Sequence, residues 1–92
     1  MSTTHHDFVI KHGLSLADDT KIKIGNSDDL QLYHDSDNSF ITDSGTGGLY
    51  IRGSNFVSIQ NAAGSETMIY AAADGAVQLK YDNSTRLQTT SK

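Results

Sequence analysis

The sequence predicts an all-β protein made of short strands and turns in degenerate repeats. The first observation behind this prediction is a repeated phrase, DDLQLYHDSDNSF at residues 28–40 and GAVQLKYDNSTRL at residues 75–87. In both copies an alternating apolar and polar run precedes a cluster of Asp, Asn and Ser, which is typical of a strand and its turn. The second observation is that no window of the chain carries apolar residues at the 3.6-residue period of a helix.

Aligned without gaps, the two phrases match through the turn and beyond it. The aligned pairs are Gln31 with Gln78, Leu32 with Leu79, Asp35 with Asp82, Leu30 with Val77, Phe40 with Leu87 and Thr42 with Thr89. Each phrase is therefore expected to form strand, turn and strand. Leu32 and Leu79 are flanked by polar neighbours that must point the other way, so both are expected to point into the core.

The same pattern of strand, polar turn and strand appears in two further segments. The first places Leu14 and Leu16 before an ADDT turn and then the segment IKI; the second places Leu49 and Ile51 before GSN and then FVSIQ. A further strand is expected at TMIY, residues 67–70. The three alanines at residues 71–73 are too short a run to nucleate a helix, so they are expected in a turn or a tightly packed strand. We assign residues 1–13 to an N-terminal segment and residues 14–92 to one β-repeat module.

Composition excludes several classes of protein. The net charge is −4 and no basic stripe is present, which argues against nucleic-acid binding. No apolar run approaches the length of a membrane helix, and the N-terminus lacks the apolar region of a signal peptide. The chain has no cysteine, which excludes a disulfide scaffold.

The apolar content is low for an independently folded chain. Leu, Ile, Val and Phe together are 20 of 92 residues, close to the range in which disorder is expected. Their regular phasing nevertheless favours a folded chain that completes its core against other copies of itself. The residues expected in that shared core are Leu30, Leu32, Leu49, Ile51, Val57, Ile59, Val77 and Leu79.

Specific motifs carry a resemblance to a known group. The segments LQLYHD and YDNSTRL, within DDLQLYHDSDNSFITDSGTGGLYIRGSNFVSIQNAAG and VQLKYDNSTRLQTTSK, resemble repeats in fibre-like virion structural proteins of marine tailed phages, especially cyanophages. The resemblance implies an elongated, intertwined homotrimer of triple-stranded β-helix or β-prism type in a tail or head fibre. It also implies localisation in the virion after synthesis in the host cytoplasm, with other virion proteins and host surface glycans as partners.

Metal binding is considered for two groups of residues. Asp35 and Asp37 superficially resemble a Ca²⁺ loop, but the sixth and twelfth positions are Phe40 and Thr46 rather than Gly and Glu. His5 and His6 are paired imidazoles near a terminus, where solvated side chains are common. We therefore expect no metal and no other cofactor.

Another histidine is expected to pack. The repeat places Tyr81 where the first phrase has His34, and a tyrosine does not replace a histidine as a soft-metal ligand. A packing role therefore fits His34 better than metal binding.

Aromatic side chains raise the alternative of a carbohydrate-binding adhesin module. Tyr33, Tyr50 and Tyr70 are the candidate glycan contacts, with Phe56 and Tyr81 as further aromatics, because sugar faces stack on aromatic rings. Exposed tyrosines are also ordinary in strands, where cross-strand pairs stabilise the sheet. Both interpretations stay open at the level of sequence.

Catalysis has little support in the sequence. There is no cysteine, nucleophile elbow, P-loop or zinc-binding spacing. Paired carboxylates of a glycan depolymerase could lie among the Asp-rich turns, which keeps that enzyme as a third alternative. We expect a structural protein without enzymatic activity.

Overall fold

The computed structural model describes residues 7–91, and these form strands and turns without a helix. The strands are β1 (Ile22–Ile24), β2 (Leu30–His34), β3 (Ser39–Asp43), β4 (Phe56–Gln60), β5 (Thr67–Ala72), β6 (Val77–Tyr81) and β7 (Ser84–Gln88). The prediction of an all-β chain is confirmed. The expected strand at residues 67–70 lies within β5, and the alanines at residues 71–73 end that strand and enter its turn.

The strands form two open antiparallel sheets. The first has the order β1-β2-β3 and the second β4-β5-β6-β7. The chain divides into two compact units, Met1–Leu49 and Tyr50–Lys92, with one sheet in each. Neighbours in sequence are neighbours in each sheet, so every connection within a sheet is a short antiparallel turn.

Aspartate and asparagine build these turns. Five non-glycine residues in the described part of the chain have a positive φ, and all five are Asp or Asn: Asp19, Asp28, Asp74, Asp82 and Asn83. These are the residue types, after glycine, that enter the left-handed region most readily. Left-handed backbone geometry thus accounts for five of the fifteen Asp and Asn residues of the chain.

The repeated phrase forms a hairpin in each sheet, but the two turns differ in length. His34 pairs with Ser39 across a four-residue turn, whereas Tyr81 pairs with Ser84 across the two residues Asp82 and Asn83. Both of those residues have positive φ, as a type I′ turn requires. The gap-free alignment therefore holds up to the turn and is wrong beyond it: Leu79 pairs with Leu87, while its counterpart Leu32 pairs with Ile41.

Two strands expected from the alternating pattern do not form. Residues 14–16 and 49–51 are outside the strands of the described chain. Alternation makes one side of an extended segment apolar, but a strand also needs a neighbour for its N–H and C=O groups. The sheets begin instead at Ile22, after a turn in which the Asp19 N–H donates to the His34 carbonyl, and at Phe56, after the loop containing Gly53. Only glycine fits at position 53, because a Cβ there would lie 2.2 Å from the Phe56 carbonyl oxygen.

Candidate functional site

Strand register places most aliphatic side chains of the first sheet on one side. Ile22 pairs with Leu32 and Leu32 with Ile41, so these three residues form one row across the sheet. Ile24 and Leu30 form the next row on the same side, because alternate residues of a strand share a face. The five residues Ile22, Ile24, Leu30, Leu32 and Ile41 are called the first aliphatic face.

The second sheet also carries its aliphatic side chains on one side. Ile59, Ile69, Leu79 and Leu87 form one row across all four strands, and Val57, Ala71 and Val77 form the next row. These seven residues are called the second aliphatic face. Register shifts at Ile59/Gln60 and at Leu79/Lys80 mark bulges, which increase the local twist of a sheet.

The opposite face of each sheet carries aromatic and polar groups that contact one another. In the first sheet Tyr33 stacks on Phe40 with ring centroids 4.8 Å apart, and Lys21 Nζ lies 4.6 Å from the Tyr33 ring centroid. In the second sheet Phe56 and Tyr70 lie 5.0 Å apart. We call these the polar faces.

Hydrogen bonds add to the polar face of the second sheet. The Gln78 side-chain amide donates to Gln88 Oε1 at 2.9 Å, and Lys80 Nζ donates to Thr85 Oγ1 at 3.2 Å. These four side chains therefore have polar partners within the chain, whereas Ser58 Oγ on the same face is buried without a hydrogen-bond partner.

The aliphatic faces are not covered within one chain. In the described residues no hydrophobic side chain is fully buried, and Leu79, Ile41 and Leu87 are 41%, 62% and 62% exposed. The chain exposes 8051 Å² in total, whereas a folded monomer of this mass exposes about 5200 Å². This surplus of about 2900 Å² includes extended segments outside the strands, such as residues 8–10 and 49–51, as well as the aliphatic faces. Because the aliphatic faces are the apolar surfaces that the sheets hold in regular rows, they are the candidate site.

The residues expected in a shared core divide into two sets. Leu30 and Leu32 lie on the first aliphatic face, and Val57, Ile59, Val77 and Leu79 lie on the second. Leu49 and Ile51 lie outside the sheets and are exposed.

The sequence-based list also omitted members of both faces. Ile22, Ile24, Ile41, Ile69 and Leu87 belong to them by register. Their period-2 phase was visible in the sequence, but the strand-to-strand register that aligns them was not.

The acidic turn has a local explanation. Asp35 Oδ1 accepts hydrogen bonds from the backbone N–H groups of Asn38 at 2.7 Å and Asp37 at 2.8 Å. These bonds, Asn38 first, lower the pKa of Asp35, with a smaller contribution from the charge of His34. Asp35 thus holds its own turn together.

Other metal candidates gain no support from the structure. Residues 7–91 contain no group of three His, Cys, Asp or Glu side chains placed to hold a metal ion, and His5 and His6 lie outside the described residues. His34 is exposed, with its Nδ1 2.9 Å from Ser39 Oγ. Within one chain, His34 therefore makes a hydrogen bond across the hairpin and does not pack against other side chains as expected.

The candidate glycan contacts have different environments. Tyr33 and Tyr70 are partly buried by their stacking partners on the polar faces. Tyr50 is 77% exposed, and the Arg52 guanidinium carbon lies 5.3 Å from its ring centroid. Tyr81 is 68% exposed and has Arg86 at 5.2 Å in the same way.

A shallow depression of about 310 Å³ lies beside the β5–β6 turn. Its lining residues are Asp74, Gly75, Ala76, Thr89, Thr90 and Ser91. Small and hydroxylated side chains dominate this lining, and it includes no residue of either aliphatic face.

Comparison with protein-family models, curated proteins and solved structures finds no match. A search of residues 7–91 for a helix capable of crossing a membrane is likewise negative.

Proposed function

We propose that the protein is a non-enzymatic structural module of a phage particle, a homotrimeric β-rich shaft segment of a tail or head fibre. The observation that carries this proposal is the pair of uncovered aliphatic faces together with a surface of 8051 Å². The resemblance of LQLYHD and YDNSTRL to repeats of marine phage fibre proteins supplies the link to the virion. Other virion proteins are the expected partners at the ends of such a segment.

The size of the surplus surface fits an obligate assembly. In a ring of three, each chain meets two neighbours and would divide its surplus of about 2900 Å² between them. Each of the three contacts then removes at most about 1450 Å² from each side, or about 2900 Å² in total. Obligate interfaces bury about 2000–5000 Å², so a trimer would fall within that class if its contacts also covered exposed segments outside the aliphatic faces, such as residues 8–10 and 49–51.

The role of the module is mechanical. Aliphatic rows that become buried between chains stabilise an elongated β-structure, and the Asp- and Asn-built turns remain in water. Those turns are fixed by left-handed Asp and Asn residues and by side-chain hydrogen bonds of their own. Exposed turn residues without such a role, such as Ser36, can vary without disturbing the strands. A triple-stranded β-helix or β-prism is the architecture proposed for this assembly.

A carbohydrate-binding adhesin module is the second candidate. The observation that favours it is the exposure of Tyr50 beside Arg52 and of Tyr81 beside Arg86. A tyrosine ring offers a stacking surface for a sugar and an arginine offers hydrogen-bond donors. A glycan array separates the candidates, because an adhesin should bind defined host glycans and should lose them in Tyr50→Ala and Tyr81→Ala variants.

The test of the structural proposal is the mass in solution. Multi-angle light scattering should give three times the chain mass of 9.9 kDa across a tenfold concentration range. Incubation with host polysaccharide should release no oligosaccharides. A stable folded monomer would contradict the trimer, and sugar release would contradict the absence of enzymatic activity.

A further inference from the structure

We propose that the outer edge of β3 pairs with residues 49–51 of a second copy of this chain, so that each chain adds one strand to the first sheet of its neighbour. This inference rests on the proposed function and adds the backbone contact through which the chains meet. It follows from an unpaired strand edge and an unpaired extended segment whose side chains match on both faces of the sheet.

The edge of β3 that points away from β2 has unpaired backbone groups. Ser44, directly after β3, donates its N–H to the Asp29 carbonyl at 2.8 Å, so the even-numbered residues at this end of the hairpin bond to the β2 side. Because bonding alternates along an antiparallel strand, the N–H and C=O groups of Ser39, Ile41 and Asp43 point outward. Within residues 7–91 these outward groups have no hydrogen-bond partner.

The other strand edges are blunted or obstructed. β1 is three residues long with Lys23 at its centre, and β7 has a bulge at Arg86; short strands, charges and bulges all protect an edge from pairing. At the start of β4 the backbone of Gly53 lies against the Phe56 carbonyl oxygen. β3 has five residues, no bulge and a single charge at its last residue, Asp43. It is therefore the edge with the fewest obstacles to a further strand.

Residues 49–51 have the side-chain arrangement of a strand but no strand partner. The Arg52 guanidinium carbon lies 5.3 Å from the Tyr50 ring centroid, so these two side chains share one side of the segment. Side chains two positions apart share a side in a strand and not in a helix. Leu49 and Ile51 alternate with them and are 48% and 68% exposed. Residues 49–51 make no backbone hydrogen bond within the described chain.

Antiparallel pairing of Ile41 with Leu49 matches the aliphatic side of the first sheet. Leu49 then lies next to Ile41 and adds a fourth member to the row that already contains Ile22 and Leu32. Cross-strand aliphatic neighbours of this kind stabilise a sheet. The outward N–H and C=O groups of Ile41 gain their ladder partners in the same step.

The same register matches the polar side of the sheet. Tyr50 falls opposite Phe40 and continues the aromatic row in which Phe40 stacks on Tyr33. Arg52 falls beside the turn at residues 35–38, which carries two carboxylates, so the charges are complementary. Residues 14–16 also lie outside the strands but contain no aromatic residue to place beside Phe40.

A second copy supplies the segment. Within one chain β3 is the last strand of its sheet, although only residues 44–48 separate it from residues 49–51. Just past β3 the Gly45 N–H donates to Asp43 Oδ1 at 3.0 Å in a local turn, and the chain adds no strand to the β3 edge. Every copy carries one such edge and one such segment. Pairing the edge of one chain with the segment of the next is a heterologous contact, which is the type that a ring of three requires.

A disulfide tests which chain supplies the segment, because the chain has no native cysteine. Hydrogen-bonded residues opposite each other in an antiparallel ladder have Cα atoms about 5.5 Å apart, which a disulfide spans. Oxidation of the double variant Ile41→Cys/Leu49→Cys should therefore give a covalent trimer on a non-reducing gel. Thr42→Cys/Leu49→Cys is the matched control, since position 42 lies on the opposite face, and it should give at most about a tenth as much crosslinked product.

The other outcomes separate this inference from the proposed function. If the wild type is trimeric, an intrachain disulfide between positions 41 and 49 would overturn the exchange between copies. Free thiols at both positions, or crosslinking equal to that of the control, would overturn the strand pairing in the same way. A monomeric wild type in light scattering would instead overturn the proposed function and this inference with it.

Amide hydrogen exchange on the unaltered protein guards against variants that fail to fold. The Ile41 N–H has no partner in a single chain, whereas the pairing bonds it to Leu49 of the neighbouring chain. In the assembled protein the Ile41 and Leu49 amides should exchange at least about tenfold more slowly than the amide of Lys23 at the outer edge of β1, after correction for intrinsic rates. Equal rates for all three amides in a sample of trimeric mass would overturn the pairing.

Discussion

Replacing Leu32 by aspartate should dissociate the proposed trimer. Leu32 is the middle residue of the row Ile22, Leu32, Ile41, and it is partly buried in a single chain. Its neighbours Ile22 and Ile41 are 40% and 62% exposed, which together equals about one whole isoleucine side chain. Burying that area stabilises the assembly by about 2 kcal/mol per chain, and an aspartate in the row would keep the area exposed to water.

The charge itself adds the larger effect. An unpaired carboxylate in a closed interface costs several kcal/mol, so three copies cost on the order of 10 kcal/mol per trimer. Since each 1.4 kcal/mol is a factor of ten, the charge alone should raise the dissociation constant of the proposed trimer by about seven orders of magnitude. Light scattering should then give the 9.9 kDa chain mass at micromolar concentration.

Gln31→Asp is the matched control. Gln31 lies on the polar face, and its side-chain amide donates to the Asp28 carbonyl at 3.1 Å. The variant loses this exposed bond but places a carboxylate opposite Lys23, its partner in register. We expect a change of no more than about 0.5 kcal/mol and an unchanged mass. A Leu32→Asp protein that assembles and melts like wild type would refute the reasoning.

Three further predictions concern the turns and ligands. Backbone N–H groups lower the pKa of Asp35 below its ordinary 3.8. The stability that the Asp35 carboxylate contributes should therefore be complete above about pH 4 and be lost as the pH falls through the lowered pKa. In melting scans at acid pH, Asp35→Asn should show a smaller loss of stability than wild type. In denaturant unfolding, Asn83→Ala should lower the free energy of unfolding by about 1–2 kcal/mol, because alanine is strained in the left-handed backbone of this position. The variant also loses the hydrogen bond that the Thr67 N–H donates to Asn83 Oδ1. Asn83→Gly should recover most of the backbone part, and a loss as large as that of the alanine variant would contradict this account. EDTA should leave the melting temperature unchanged, and a drop of more than about 5 °C, on the order of 1 kcal/mol, would reveal a stabilising metal.

The two copies of the repeated phrase show which features of a hairpin the local sequence pattern predicts. Up to the turn, Leu30 and Leu32 occupy the positions of Val77 and Leu79 on an aliphatic face, as their shared alternation indicates. Beyond the turn the equivalence fails, because four residues close one hairpin and two close the other. Turn length is a backbone property that similar Asp, Asn and Ser clusters do not specify uniquely.

The sequence by itself determined the all-β class, the hairpin at each repeated phrase and the side of each strand on which aliphatic residues fall. These follow from side-chain period and turn chemistry, which act over a few residues. Tertiary structure alone decided that residues 14–16 and 49–51 find no strand partner, and that Ile59, Ile69, Leu79 and Leu87 align in one row despite two bulges. The physical reason is that a ladder needs donors and acceptors from a second segment at the correct register, and alternation within one segment carries no information about that second segment.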